Sequence, residues 1–209
     1  METGNIIINV GRQLGSGGRT IAKMLAQNFG YRFYDREILN LAARESGFSE
    51  RFFEQNDEQK MFGRSFLNYH LPLMGDHHFY SNNNFSQERL FQFQSDAIRK
   101  AALESNCVFV GRCADYVLRD FPRVVNLFIT ADRQERIDRV CERRGCDREK
   151  GAALIVEVEE RRAAYYNYYT GKRWGQAASY HLCVNSSILG MEGTAELLGD
   201  FVRRRFQQP

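Results

Sequence analysis

The chain has 209 residues, 43% of them hydrophobic and 26% charged, with a net charge of +3 at pH 7. That length holds one α/β domain with a substantial core and is short for two, so residues 1–209 are read as a single domain. The near-balanced charge argues against a chain built to coat a nucleic-acid polymer, and no run approaches the roughly 20 apolar residues of a membrane span.

Five cysteines, an odd number, include no CxxC pair. The N-terminus shows no charged-then-apolar signal, and together these predict reduced thiols and a cytoplasmic protein. Arginine concentrates at 133–148, 161–162 and 203–205, a distribution that suits anionic small molecules better than a long polyanion.

In chain order, Ile6–Val10 is a short apolar run rich in β-branched residues, as expected of a buried parallel strand. Glycines at 11, 15, 17 and 18 follow, and a helical stretch begins near Arg19. Glycines let the chain turn tightly and aim successive N–H groups inward. Beside a helix N-terminus that makes a phosphate site. The pattern nearly matches GxxxxGK[ST]. Aligned on Gly17 and, with one residue extra, on Thr20, the lysine position holds Gly18, Arg19 follows it, and the first glycine position holds Arg12.

The spacing predicts a helix over Arg19–Phe29 ended by Gly30, then a strand at Tyr31–Tyr34. Strand, loop, helix and strand make a βαβ unit, which implies a right-handed crossover and a parallel pair. Asp35 stands at the rim where such sheets bind ligands, or caps the helix expected over 36–46; both readings hold. Residues 48–86 scatter aromatics among polar residues, with a loop signal at Ser81–Asn84, and read as an insertion: a flap or a dimer contact. Asp76, His77 and His78 lack a further ligand at useful spacing and read as polar loop residues.

A helix over Gln87–Ser105 should lead into a third strand, Cys107–Val110, then Gly111-Arg112-Cys113-Ala114-Asp115. A fourth strand is expected at Val124–Ile129, with Asp132 capping an arginine-rich helix to about residue 144. Helices over 147–169 and 193–206 flank a last strand at Leu182–Val184. Five strands alternating with helices predict a doubly wound five-stranded parallel sheet.

GSGGRT, FYD, FVGRCAD and ERRAAYYNYYTGKRW, in this order, resemble the cytidylate kinase-like family of P-loop nucleoside monophosphate kinases over about Ile6 to Ser187. The resemblance implies a P-loop nucleotide kinase fold with an acceptor-binding insertion (about 48–92) and a helical lid (about 143–172). The implied activity is phosphoryl transfer from ATP, with Mg²⁺, to a nucleoside monophosphate, CMP in the first place. Gly15, Ser16, Gly17, Gly18 and Arg19 would cradle the donor phosphates, and Thr20 would offer its hydroxyl to the metal. Arg112 matches the acceptor-contacting arginine of the family's Gly-Arg pair, Arg162 its lid arginine and Glu159 its acidic base-contacting position. Asp35, Arg19, Arg112 and Arg162 are thus the catalytic candidates, with Asp35, Arg112, Glu159 and Arg162 on the acceptor.

On a helix Glu159 and Arg162 share a face, so a plain ion pair also accounts for them. Arg136, Arg139, Arg143 and Arg144 read mostly as a solvated helix face, Tyr165–Tyr169 as packing and Trp174 as structural. The chain departs from the family at three places. The P-loop lysine is absent, its charge left to Arg19 or Arg12. The Asp before the Gly-Arg pair is Val110, which leaves metal water to a residue such as Asp35. A further lid arginine is replaced by Ile155. Two alternatives follow: a P-loop kinase for another small metabolite, with Asp35 as base for a hydroxyl acceptor, or a nucleotide-binding sensor with little turnover. The aromatic insertion also raises the expectation of a homodimer.

Overall fold

The computed structural model describes residues 4–35 and 79–206, the side chains of 79–86 excepted. The helix expected over 36–46, the aromatic segment as far as residue 78, and Asp76-His77-His78 lie outside the described residues. The chain divides into two compact units, residues 1–36 with 98–209, and residues 37–97.

The first unit is built on five strands: β1 (Ile7–Arg12), β2 (Arg32–Tyr34), β3 (Cys107–Val110), β4 (Val124–Thr130) and β5 (Leu182–Asn185). All pair in parallel, in the order β2-β3-β1-β4-β5. The first βαβ unit therefore does not form a neighbouring pair, because β3 lies between β1 and β2. Burial explains the order. Every residue of β3 is buried, as are the first four of β1, whereas β2 has three residues beginning with exposed Arg32. Strands apolar on both sides occupy the centre of a covered parallel sheet, and the short, partly polar one takes the edge.

The helices are α1 (Gly18–Phe29), α2 (Phe79–Glu104), α3 (Ala114–Val117), α4 (Arg133–Arg144), α5 (Arg148–Thr170) and α6 (Ser186–Phe206). Alternation along the strands puts Ile8, Val10, Val108, Val110, Val125, Leu127 and Ile129 in one core with Ile21, Leu25 and Ala26 of α1 and Ala195, Leu198 and Val202 of α6. Phe109 and Phe128 are buried among the residues of opposite parity: Tyr34 stacks on Phe109 at 5.1 Å between ring centroids, and Trp174 meets Phe128 edge-on at 5.3 Å. Trp174 thus packs, as its reading proposed. Asn9, in mid-strand, donates to Asn126 Oδ1 at 2.9 Å across the β1–β4 ladder.

Two boundaries move. α2 begins at Phe79, through the Asn-rich stretch expected to be a loop. Once a helix has nucleated, each added residue gains a hydrogen bond, and the modest propensity penalty of Ser and Asn does not stop it. α6 begins at Ser186 and bends at Gly190, where φ is 69° and ψ −177°. Its first residue is anchored by tertiary bonds, since Ser186 Oγ donates to Ser16 O at 2.7 Å and Thr130 O at 3.1 Å.

His181, just before β5, accepts the Asn126 backbone N–H on Nδ1 at 2.9 Å. Burial, then Arg205 and Lys172, push its pKa below the ordinary 6.5. The unfolded chain then binds the extra proton more readily, so this contribution is present above 6.5 and is lost as pH falls through the depressed folded value. Denaturant midpoints of wild type should accordingly drop from neutral pH to about pH 5, and His181→Gln should remove part of that slope. An unchanged slope would show that other groups carry it.

Candidate active site

The turn between β1 and α1 has two glycines in the left-handed region, Gly15 at φ 80° and Gly17 at φ 74°, the latter capping α1. Ser16 is fully buried; its Oγ donates to Gln13 O at 2.9 Å and accepts from Gly18 N at 3.3 Å. A Cβ on Gly15 would lie 2.5 Å from Arg136 O, and one on Gly17 3.0 Å from Met191 Sδ. The glycines are therefore demanded by close approach as well as by conformation. Arg19 and Thr20 are exposed on the first turn of α1. A glycine turn at a helix N-terminus, with a hydroxyl on the first turn, fits a polyphosphate tail and its metal.

The carbonyl side of the turn is held by arginines. Arg162 Nη1 donates to Arg12 O at 2.9 Å, Arg139 Nη1 to Gly15 O at 3.1 Å, and Arg136 Nη1 to Leu14 O at 3.5 Å. Glu159 Oε1 accepts from Leu14 N at 3.0 Å and from Arg136 Nη1. Carbonyls engaged in this way do not turn their negative ends toward an incoming phosphate, so the hairpin α4–α5 shapes the loop from outside. Arg136 is buried, so the solvated-face reading fails for it. Arg139 also pairs with Glu135 within α4. A sequence signal existed: Arg136 stands one turn before Val140, which is buried with Ile137 and Ile155 against Leu14 of the loop. Ile155, where the family has an arginine, belongs to that small core.

At the end of β3 the backbone takes three successive left-handed residues, Gly111 (φ 76°), Arg112 (φ 57°) and Cys113 (φ 55°). For the two non-glycine residues this costs about 1–2 kcal/mol each, and such strain concentrates at functional positions. Arg112 is held over the Tyr165 ring of α5 at 5.5 Å. Below it, Asp115 is buried and its Oδ2 accepts from Tyr166 OH at 2.7 Å, fastening α3 to α5. Burial pushes Asp115 up, against the opposing Tyr166 hydrogen bond, and it also pushes the Cys113 thiol up to about 12. The GRCAD string was legible, but Asp115 as the fastening residue was not, because its partner lies 51 positions away.

Asp35, at the end of β2, is buried and accepts from Arg19 Nε at 2.8 Å and from Arg19 Nη2. Two catalytic candidates are thus paired with each other, and the helix that Asp35 was read as capping lies outside the described residues. Asp132 occupies the N-cap position of α4, yet its carboxylate accepts from Asn185 Nδ2 at 2.8 Å instead of a helix N–H. Among the described residues no cluster of three or more His, Cys, Asp and Glu side chains could hold a metal, and no helix is long and apolar enough to cross a membrane.

Gly11-Arg12 and Gly111-Arg112 end the neighbouring strands β1 and β3, and the carboxyl ends of strands are where open α/β sheets bind ligands. Sheet order, glycine turn and converging arginines define a P-loop kinase-type fold. Solved structures bear this out at the level of fold. An uncharacterized protein from Eubacterium ventriosum is 24% identical, with 95% of this chain and 98% of that one covered and a TM-score of 0.72. Shikimate kinase from Bacteroides thetaiotaomicron is 13% identical, covering 95% and 98%, with a TM-score of 0.51. Shikimate kinase from Acinetobacter baumannii in complex with shikimate is 10% identical, covering 99% and 97%, with a TM-score of 0.52. A comparison with curated proteins gave no match. The chain belongs to the cytidylate kinase-like family, whose model matches residues 7–188.

Proposed function

We propose that the protein transfers the terminal phosphoryl group of ATP to a nucleoside monophosphate, with CMP as the leading acceptor. The observation that carries this reading is that the glycine turn and Gly111-Arg112 follow adjoining strands β1 and β3, with Arg162 of α5 bonded to Arg12 O. Such transfer requires positioning and positive charge around phosphoryl oxygens more than covalent chemistry by the protein. An acceptor phosphate is already an anion, so no general base is needed.

In this reading the N–H groups of Gly15–Arg19 hold the donor phosphates, and Arg112 binds the acceptor phosphate through its fork. Arg162 and Glu159 link the acceptor side to the loop. Thr20 would hold Mg²⁺, which when bound neutralises donor phosphate charge. Helix α5, with the end of α4, serves as the lid over 143–172. A second reading rests on Asp35: a buried carboxylate at the rim suits a hydroxyl acceptor on a small metabolite, for which it would serve as base.

ADP production from Mg-ATP with a panel of nucleoside monophosphates and small alcohols tests both readings. Turnover with CMP or UMP is expected, and Arg112→Ala should raise the acceptor KM by roughly tenfold or more. Turnover only with alcohols overturns the first reading, and nucleotide binding without turnover on any acceptor indicates a sensor.

A further inference from the structure

Two departures from the GxxxxGK[ST] pattern explain each other. A Cβ on Gly18, the lysine position, would lie 2.5 Å from Arg12 Cβ and 3.2 Å from its Cγ. The stem of Arg12 occupies the space where a side chain at 18 would begin. Its other end reaches Gly111: a Cβ there would lie 3.3 Å from Arg12 Cζ and would overlap Nη1. The side chain thus runs from the first turn of α1 to the end of β3, directly before Arg112. Arg19, the other candidate for the missing charge, points to the end of β2, where it is bonded to Asp35.

We propose that Arg12 is the catalytic cation of this site, taking the lysine's place on the oxygens of the transferred phosphoryl group. This rests on the kinase reading above. Its stem stands against the first turn of α1 and its guanidinium against Gly111, next to Arg112; in the kinase reading this is the way the phosphoryl group takes from donor to acceptor. In the step, the acceptor oxygen bonds to the γ-phosphorus as the bond from that phosphorus to the β,γ-bridging oxygen breaks. The electron pair leaves with ADP, and no proton moves when the acceptor is a phosphate dianion. Arginine stays charged throughout, and Arg162, bound to Arg12 O at 2.9 Å, steadies the residue's backbone.

The test compares wild type, Arg12→Gln and the relocated pair Arg12→Gly with Gly18→Lys, each checked for folding by circular dichroism. Glutamine keeps the stem between Gly18 and Gly111 while removing the charge. The affinity ratio of Mg-ATP to Mg-ADP, measured by calorimetry, reads contact with the γ-phosphate without needing the acceptor. Wild type should prefer Mg-ATP, and Arg12→Gln should lose on the order of tenfold in that ratio and about 10²–10³-fold in kcat. The relocated lysine should recover part of both.

An Arg12→Gln protein with the wild-type ratio and kcat overturns the proposal and leaves the kinase reading standing. So does a wild type that binds the two nucleotides alike, or a folded relocated variant no better than Arg12→Gln. A wild type that prefers Mg-ATP through Arg12 yet turns over no acceptor overturns the kinase reading and the catalytic role, leaving Arg12 a γ-phosphate ligand. A wild type that binds neither nucleotide overturns both.

Discussion

Replacing Arg136 by methionine is expected to destabilise the protein by about 3 kcal/mol, the lower end of the cost of breaking a buried ion pair from one side. The Arg136 side chain is 8% exposed and that of Glu159 19%, so the pair is held away from water. Without the guanidinium, the Glu159 carboxylate keeps the Leu14 N–H but loses its paired cation, and Leu14 O loses a donor. The upper end is not expected. Arg136 Nε is buried without a hydrogen-bond partner among the described residues, and its removal returns that desolvation cost. Urea unfolding should show a lower midpoint at unchanged slope. Adding Glu159→Gln should recover part of the loss, because it removes the orphaned charge and keeps an acceptor for Leu14 N. Strict additivity of the two substitutions would show that the pair is not coupled.

Gly15→Ala should be about as damaging to stability and more damaging to nucleotide binding. Gly15 has a φ of 80°, and an added Cβ would meet Arg136 O at 2.5 Å, its Cα at 2.8 Å and its Cβ at 2.9 Å. Two of those atoms are backbone, so no rotamer change relieves the overlap. The start of α4 must move back by about 1 Å to restore ordinary carbon contact distances. That movement lengthens the Arg139 bond to Gly15 O, now 3.1 Å. Left-handed strain of about 1–2 kcal/mol and overpacking of about 1–3 kcal/mol together give about 2–5 kcal/mol. Gly145→Ala is the control: its φ is 63°, but a Cβ there meets nothing within 4 Å, so only the conformational part applies. Thermal melts and Mg-ATP titrations of both variants separate the contributions. Equal losses at 15 and 145 would show that packing against α4 is not what requires the glycine.

Much of the framework was open to a reading of local pattern. The apolar runs at Ile7–Val10, Cys107–Val110 and Val124–Ile129 are strands because buried parallel strands are apolar on both faces, and Gly30 ends α1 because only glycine takes the left-handed cap without cost. The glycine turn, Arg112 and the pair Glu159–Arg162 stood in recognisable strings. Arg136 did not, because an arginine has the same helical spacing whether it faces water or another segment. Its neighbours Ile137 and Val140 marked the inner side of α4, but its partners Leu14 and Glu159 lie 122 and 23 residues away.

What the sequence by itself determined is the alternation of strands and helices, the phosphate-type turn and the family, since each depends on residues close along the chain. Only the tertiary structure decided that β3 sits between β1 and β2, that Arg19 pairs with Asp35, and that Arg12 fills the space left by the glycine at 18. Those outcomes depend on which segments compete for the same neighbour, charge or volume, and that competition is settled when the sheet closes its order and the side chains pack.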